Sequence, residues 1–168
     1  EEVAVIYDRL QELPDLATYV TPNGDIEYYD TYNDLQNKLP QSPQHNSPRF
    51  ASQYTLNVYE HANYNRDRTG KMQSFKMPIL LPELKSYGMN DMISSCAIIN
   101  SQNPGTIGSV TFFRDPNYQA QSITFTYAFP LGDPTWNNYV FLLVENFHNY
   151  KVKKKINWND RISSLKAF

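Results

Sequence analysis

The 168-residue chain has a single cysteine, six glycines and no apolar run near 18 residues, and its charges almost cancel, with Lys+Arg 15 against Asp+Glu 17. Each scarcity excludes something. One cysteine cannot form an internal disulfide, and its setting in SSCAII makes Cys96 read as a buried small hydrophobe and not as a nucleophile. The missing apolar run removes a membrane-spanning helix. A net charge of -2 supplies no basic field to hold a nucleic-acid backbone. The one basic cluster, KVKKK at 151–155, alternates around Val152 and reads as the wet edge of a strand. His45, His61 and His148 are too scattered for a ligand cluster, which together with the lone cysteine disfavours zinc. Catalytic signatures are missing too: there is no nucleophile elbow, no HExxH and no phosphate-cradling glycine loop. The grouping of Glu60, His61 and Asp67 within YEHANYNRDR has only sequence proximity behind it, so an enzyme is not expected. Glu1-Glu2 does not begin a signal peptide, and the chain reads as a mature or trimmed product.

What is present divides the chain in two. Residues 1–48 read as an extension: Val3, Ile6, Tyr7, Leu10 and Leu13 fall near helical spacing up to Pro14, and TYVTPNGDIEYY (18–29) places β-branched and aromatic residues on both sides of a PNGD turn signal. DTYNDLQNKLP (30–40) predicts one or two further helical turns, and QSPQHNSPRF (41–50) reads as a linker. From Tyr54 the pattern becomes strands of period two: Tyr54, Leu56, Val58; then Val110 and Phe112; then Ile123, Phe125, Tyr127, Phe129. YVFLLV (139–144) is continuously apolar and predicts a fully buried strand. Short strands between Pro, Gly and Asn turns indicate an all-β sandwich over 49–168.

The second part repeats itself. NDMISS (90–95) returns as NDRISS (159–164), and each is preceded by a strand carrying an aromatic-x4-aromatic pair, Tyr59 and Tyr64 in one unit, Phe113 and Tyr118 in the other. The units span about 53–100 and 108–168. Tyr64 precedes Asn90 by 26 residues and Tyr118 precedes Asn159 by 41, so the second unit carries an insertion, placed where GDPTWNN (132–138) has loop composition.

These elements resemble the βγ-crystallin family, whose domain is a sandwich of two Greek-key motifs. The resemblance covers 53–168 and rests on the strand with its aromatic pair and on the closing [ND]-[ND]-x-x-[ST]-S element. Tyr87 and Trp158, just ahead of the two closing elements, resemble the family's corner aromatics. The family's glycine two residues after the second aromatic, which takes φ > 0, is replaced here by Arg66 and Ala120, with Gly70 the expected substitute in the first unit.

Taken alone, ND-x-ISS fits two readings, a turn whose side chains bond nearby backbone or a set of hard oxygen donors suited to Ca²⁺. The resemblance implies the second, with two calcium sites per domain, formed where the closing loop of each unit meets the first hairpin loop of the other. Carried over by position, the oxygens expected are those of Asp91, the Met92 carbonyl and Ser94 in one loop, and of Asp160, the Arg161 carbonyl and Ser163 in the other, with carbonyls near Glu60 and Arg114 from the hairpins and with Asn90 and Asn159 as structural neighbours. With one or two carboxylates each, such sites bind with dissociation constants of about 10⁻⁵ to 10⁻³ M. The function expected is a calcium-stabilised, non-enzymatic structural or binding module. Residence is expected to be secreted, periplasmic or at the cell surface, with the cytoplasm as the alternative. A second reading is a protein-recognition domain, an inhibitor or toxin-like effector, that uses the insertion, with Trp136, Tyr139, Phe147 and Tyr150 as anchors for an unknown protein or surface partner; against it, the same aromatics can simply fill the core.

Overall fold

A computed structural model describes residues 13–39, 54–100, 108–127, 139–153 and 156–168. The helix expected over residues 3–13, apart from Leu13, the linker at 41–50 and the insertion at 132–138 lie outside the described residues.

The first described elements form a hairpin and a helix. Strands β1 (Ala17–Val20) and β2 (Ile26–Tyr29) pair antiparallel across the PNGD turn, where Gly24 takes φ 89 and its amide donates to the Thr21 carbonyl at 2.9 Å. Only glycine adopts that conformation without cost. Helix α1 (Tyr32–Lys38) starts at Thr31, whose hydroxyl accepts from the Asp34 amide at 3.2 Å while Lys38 sits in the last turn, so both ends suit the helix dipole.

Ten more strands follow: β3 (Tyr54–Tyr59), β4 (Met72–Lys76), β5 (Ile79–Leu81), β6 (Ser95–Asn100), β7 (Gly108–Asp115), β8 (Gln119–Tyr127), β9 (Tyr139–Val144), β10 (Lys151–Lys153), β11 (Ile156–Asn157) and β12 (Ser164–Ala167). They build one sheet in the order β4-β3-β6-β9, a second in the order β2-β1-β8-β7-β12-β5, and a small β10-β11 ribbon that carries the exposed Lys151. The third strand of each half is exchanged: β5 pairs with β12 and β9 pairs with β6. The extension is part of the sandwich, because β1 adds in parallel to β8 with Ala17 opposite Ser122 and Val20 opposite Phe125.

Alternation along the strands sends one face of each sheet inward. Leu56, Val58, Cys96 and Ile98 from the four-stranded sheet meet Val110, Phe112, Ile123, Phe125 and Leu165 from the larger one. Full burial of a side chain of this kind contributes about 1.5–3 kcal/mol. Burial also raises the pKa of the Cys96 thiol, consistent with an inert core residue. Loop residues Leu84, Met89, Ile93, Phe147, Trp158 and Ile162 close the same cluster.

Two expectations are corrected here. YVFLLV is not buried on both faces: β9 is the edge of its sheet, so Leu142 and Val144 face the core while Leu143 remains 43% exposed. Phe147 is no surface anchor; it is fully buried, edge-on to Phe112 at 5.1 Å. Tyr150 is half-buried and packs edge-on to Phe125 at 5.1 Å. Trp136 and the side chain of Tyr139, which opens β9 opposite Asn100, lie outside what is described.

Truncation separates core from edge. Phe147→Ala is expected to lose about 3–5 kcal/mol of unfolding free energy in denaturant titration, and Leu143→Ala less than about 1 kcal/mol. Similar small losses for both would contradict the placement of Phe147.

Candidate functional site

The two closing elements lie where the halves meet, and the strand exchange brings them there. Asp91 and Asp160 occupy the left-handed region, φ 51 and φ 54, which Asp tolerates better than most residues. Their amides reach across to the opposite element, Asp91 N to the Ile162 carbonyl at 3.0 Å and Asp160 N to the Ile93 carbonyl at 3.3 Å. Each carboxylate is divided between two tasks. The preceding asparagine donates to one oxygen, Asn90 to Asp91 Oδ2 and Asn159 to Asp160 Oδ2, both at 2.7 Å. The other oxygen points at the serine of the opposite half: Ser94 Oγ lies 3.0 Å from Asp160 Oδ1, and Ser163 Oγ lies 3.2 Å from Asp91 Oδ1.

This divides the residues differently from the expectation that kept the Asp and Ser of one element in one loop's set. Ser94 stays with the hairpin of its own half, 2.6 Å from the Glu60 carbonyl, and receives its carboxylate from the other. The reciprocal backbone bonds from Asp91 to Ile162 and from Asp160 to Ile93 place each aspartate beside the serine of the facing element. One hydroxyl hydrogen serves Ser94, so only one of its two acceptors, the Glu60 carbonyl at 2.6 Å or Asp160 Oδ1 at 3.0 Å, is satisfied at a time. Met92 lines the same cleft, of about 410 Å³, with Arg68, His61 and His148 at its wall; Arg161 is half-buried at the equivalent place in the second element. Among the described residues no three His, Cys, Asp or Glu side chains converge, so the donors are hydroxyl, carboxylate and backbone oxygens.

The second serine of each element was not singled out from the sequence, although the SS dipeptide is its signal. Ser95 Oγ donates to the His61 carbonyl at 2.7 Å and accepts from the Tyr64 amide at 3.1 Å; Ser164 Oγ donates to the Asp115 carbonyl at 2.7 Å and accepts from the Tyr118 amide at 3.1 Å. The first serine thus serves the oxygen cluster, and the second ties down the hairpin. The aromatic pairs complete each hairpin, Tyr59 with Tyr64 at 5.7 Å and Phe113 with Tyr118 at 5.6 Å, both edge-to-face.

Two details of the resemblance differ. Ala120 takes the positive φ itself, 60, while Arg66 stays right-handed at φ -65; Gly70 serves by lacking a Cβ, which would lie 2.7 Å from the His61 ring. The counterpart of Trp158 is Met89: both directly precede the Asn-Asp pair and both are fully buried, whereas Tyr87 is 41% exposed and packs edge-on to Phe75.

The acids of YEHANYNRDR brace their loop. Glu60 Oε2 accepts from the Lys71 amide at 2.8 Å, leaving the Glu60 carbonyl for the cluster, and Asp67 accepts from Asn63 at 2.7 Å. Arg114 extends away, its Nη1 donating to Gln121 at 3.1 Å.

Two halves of like connectivity that exchange their third strands decide the architecture. The fold is an all-β Greek-key sandwich of two interlocked halves. No family model matches the chain, and no curated protein matches its sequence. Among solved structures it is similar to a beta gamma crystallin from Ciona intestinalis, with 18% identity and a TM-score of 0.40, covering 68% of this chain and 99% of that one.

Burial also sets an alkaline limit on this sandwich. It raises the hydroxyl pKa values of Tyr32, Tyr59, Tyr64, Tyr118 and Tyr150 above the ordinary tyrosine range. A raised folded-state value favours the neutral phenol in the folded protein, so this contribution is intact below pH of about 10 and is lost as pH rises beyond it. In urea titrations these groups are expected to leave the midpoint flat at pH 7–9 and to lower it above pH of about 10, with the tyrosinate absorbance of these five appearing together with unfolding. Full tyrosinate absorbance near pH 10 in folded protein would contradict this.

Proposed function

We propose that this chain is a calcium-binding, calcium-stabilised module without catalytic activity. The carrying observation is the cluster of Ser94 Oγ, the Glu60 carbonyl and Asp160 Oδ1, matched in the other half by Ser163 Oγ and Asp91 Oδ1. These are hard oxygens with a single carboxylate charge per cluster. Such a donor set suits Ca²⁺, which accepts six to eight oxygens in forgiving geometry and draws the remainder from carbonyls and water. The residues that would hold it are Glu60, Ser94 and Asp160 in the first site and Asp91, Ser163 and the Arg114 hairpin in the second, with the Met92 and Arg161 carbonyls close by in sequence. Bound there, the cation would supply the positive charge that two facing hairpins lack.

Weak sites of this kind fill where calcium is plentiful, which favours a secreted, periplasmic or cell-surface setting. The recognition reading draws less support, since Phe147 is core and Tyr150 packs on Phe125.

At free calcium of ten to a hundred times the dissociation constant, each site adds about 1.4–2.7 kcal/mol. Two filled sites are expected to raise the melting temperature by about 5–20 °C over the protein in chelator. Asp160→Asn is expected to remove one of two binding events in isothermal titration while leaving the melt in chelator within a few degrees. Identical melting temperatures with calcium and with chelator would sink the proposal.

A further inference from the structure

The two hairpins are built alike but supported differently. Phe113 and Phe112 point to opposite faces of β7 by strand alternation. Phe112 enters the core, yet Phe113 is also fully buried, whereas its counterpart Tyr59 is only half-buried. The cover over Phe113 comes from the extension: Tyr32 of α1 packs edge-on to the Phe113 ring at 4.9 Å. Lys166 on the neighbouring strand β12 puts its ammonium 4.4 Å from the Tyr118 ring centroid, 5.3 Å from Tyr32 and 5.6 Å from Phe113. Three rings from three segments therefore enclose one cation, which burial makes less basic than an ordinary lysine.

A second link runs beside the first. Gln121, buried at 4% exposure, accepts from Arg114 of the hairpin and donates through Nε2 to the Leu13 carbonyl at 3.1 Å. Each hairpin holds three non-glycine residues at positive φ, Asn63, Tyr64 and Asn65 in the first and Asn117, Tyr118 and Ala120 in the second, where the third is an alanine and not the more tolerant asparagine. Strained backbone of this kind persists only where its surroundings over-determine it.

We propose that Tyr32 is a positioning residue for the second hairpin and, through it, for the Asp91/Ser163 cluster. Docking of residues 13–38 and cation binding at that cluster then favour each other, as linkage requires; the cation half of this statement rests on the calcium reading above. The first hairpin has no such support from the extension among the described residues and serves as an internal control.

The test uses the full chain with Tyr32→Ala and Tyr32→Phe. Amide exchange is followed by NMR in chelator at two matched positions, the Tyr118 amide bonded to Ser164 and the Tyr64 amide bonded to Ser95, each at 3.1 Å. Tyr32→Ala is expected to speed exchange at Tyr118 about tenfold or more and at Tyr64 less than about twofold. Tyr32→Phe, which keeps the ring, is expected to match the parent chain. Calcium titration of Tyr32→Ala is expected to weaken one binding event about five- to tenfold and leave the other unchanged. Unchanged exchange at Tyr118, or equal acceleration at both hairpins, overturns the positioning role. Selective acceleration with both calcium steps intact overturns the coupling. If the parent chain binds no calcium, the function proposed above fails together with the coupling, while the exchange ratio still decides what Tyr32 does.

Discussion

Strand β5 leaves the first half to hydrogen-bond with β12, and β9 leaves the second half to hydrogen-bond with β6, so neither half completes a sheet from its own strands. Everything at the junction follows from that exchange. The loops that deliver each closing element must pass one another where the sheets trade strands, and their backbones bond reciprocally, Asp91 to Ile162 and Asp160 to Ile93. The main cluster runs continuously through both halves, from Leu56 and Ile98 to Phe112 and Leu165, sealed by Met89 and Trp158 in equivalent corners. The stability of the halves is therefore expected to be cooperative.

The same exchange explains the chemistry of the junction. Each aspartate is held by its backbone bond to the facing element, steadied by the preceding asparagine and pointed at a serine it meets only because the halves interlock. Each pair of serines divides its labour, one hydroxyl at the oxygen cluster and one in the hairpin. In the function proposed above, these oxygens would receive a hard cation, and closing on it would tie the halves together once more.

The extension breaks the equivalence of the halves. By adding β1 to β8 and laying α1 over Phe113, it covers a face whose other occupants are polar, with Thr111 and Thr124 sharing a hydrogen bond at 2.9 Å and the buried Ser122 hydroxyl without a partner among the described residues. A strand face with that composition reads as solvent-facing, and here it is roofed by the chain's own beginning. One hairpin stands on its own contacts, and the other is braced.

Much of the architecture was legible in the residues, because strand alternation, the PNGD turn and the doubled ND-x-ISS element are local signals carried by a few neighbouring side chains. Where reading failed, the deciding partner was remote. YVFLLV looks buried on both faces until β9 is placed at a sheet edge, and Phe147 looks like an anchor until the end of the sandwich closes over it. Ala120 at positive φ could not be read from its own letter, since an alanine adopts that backbone only under the insistence of its surroundings. By itself the sequence determined the fold class and the two closing elements with their oxygen-bearing side chains, all properties of residue type and short-range spacing. Tertiary structure alone decided which aspartate meets which serine and that Tyr32 lies on Phe113, because contacts between residues 66 to 81 positions apart depend on the path of the chain and not on its local composition.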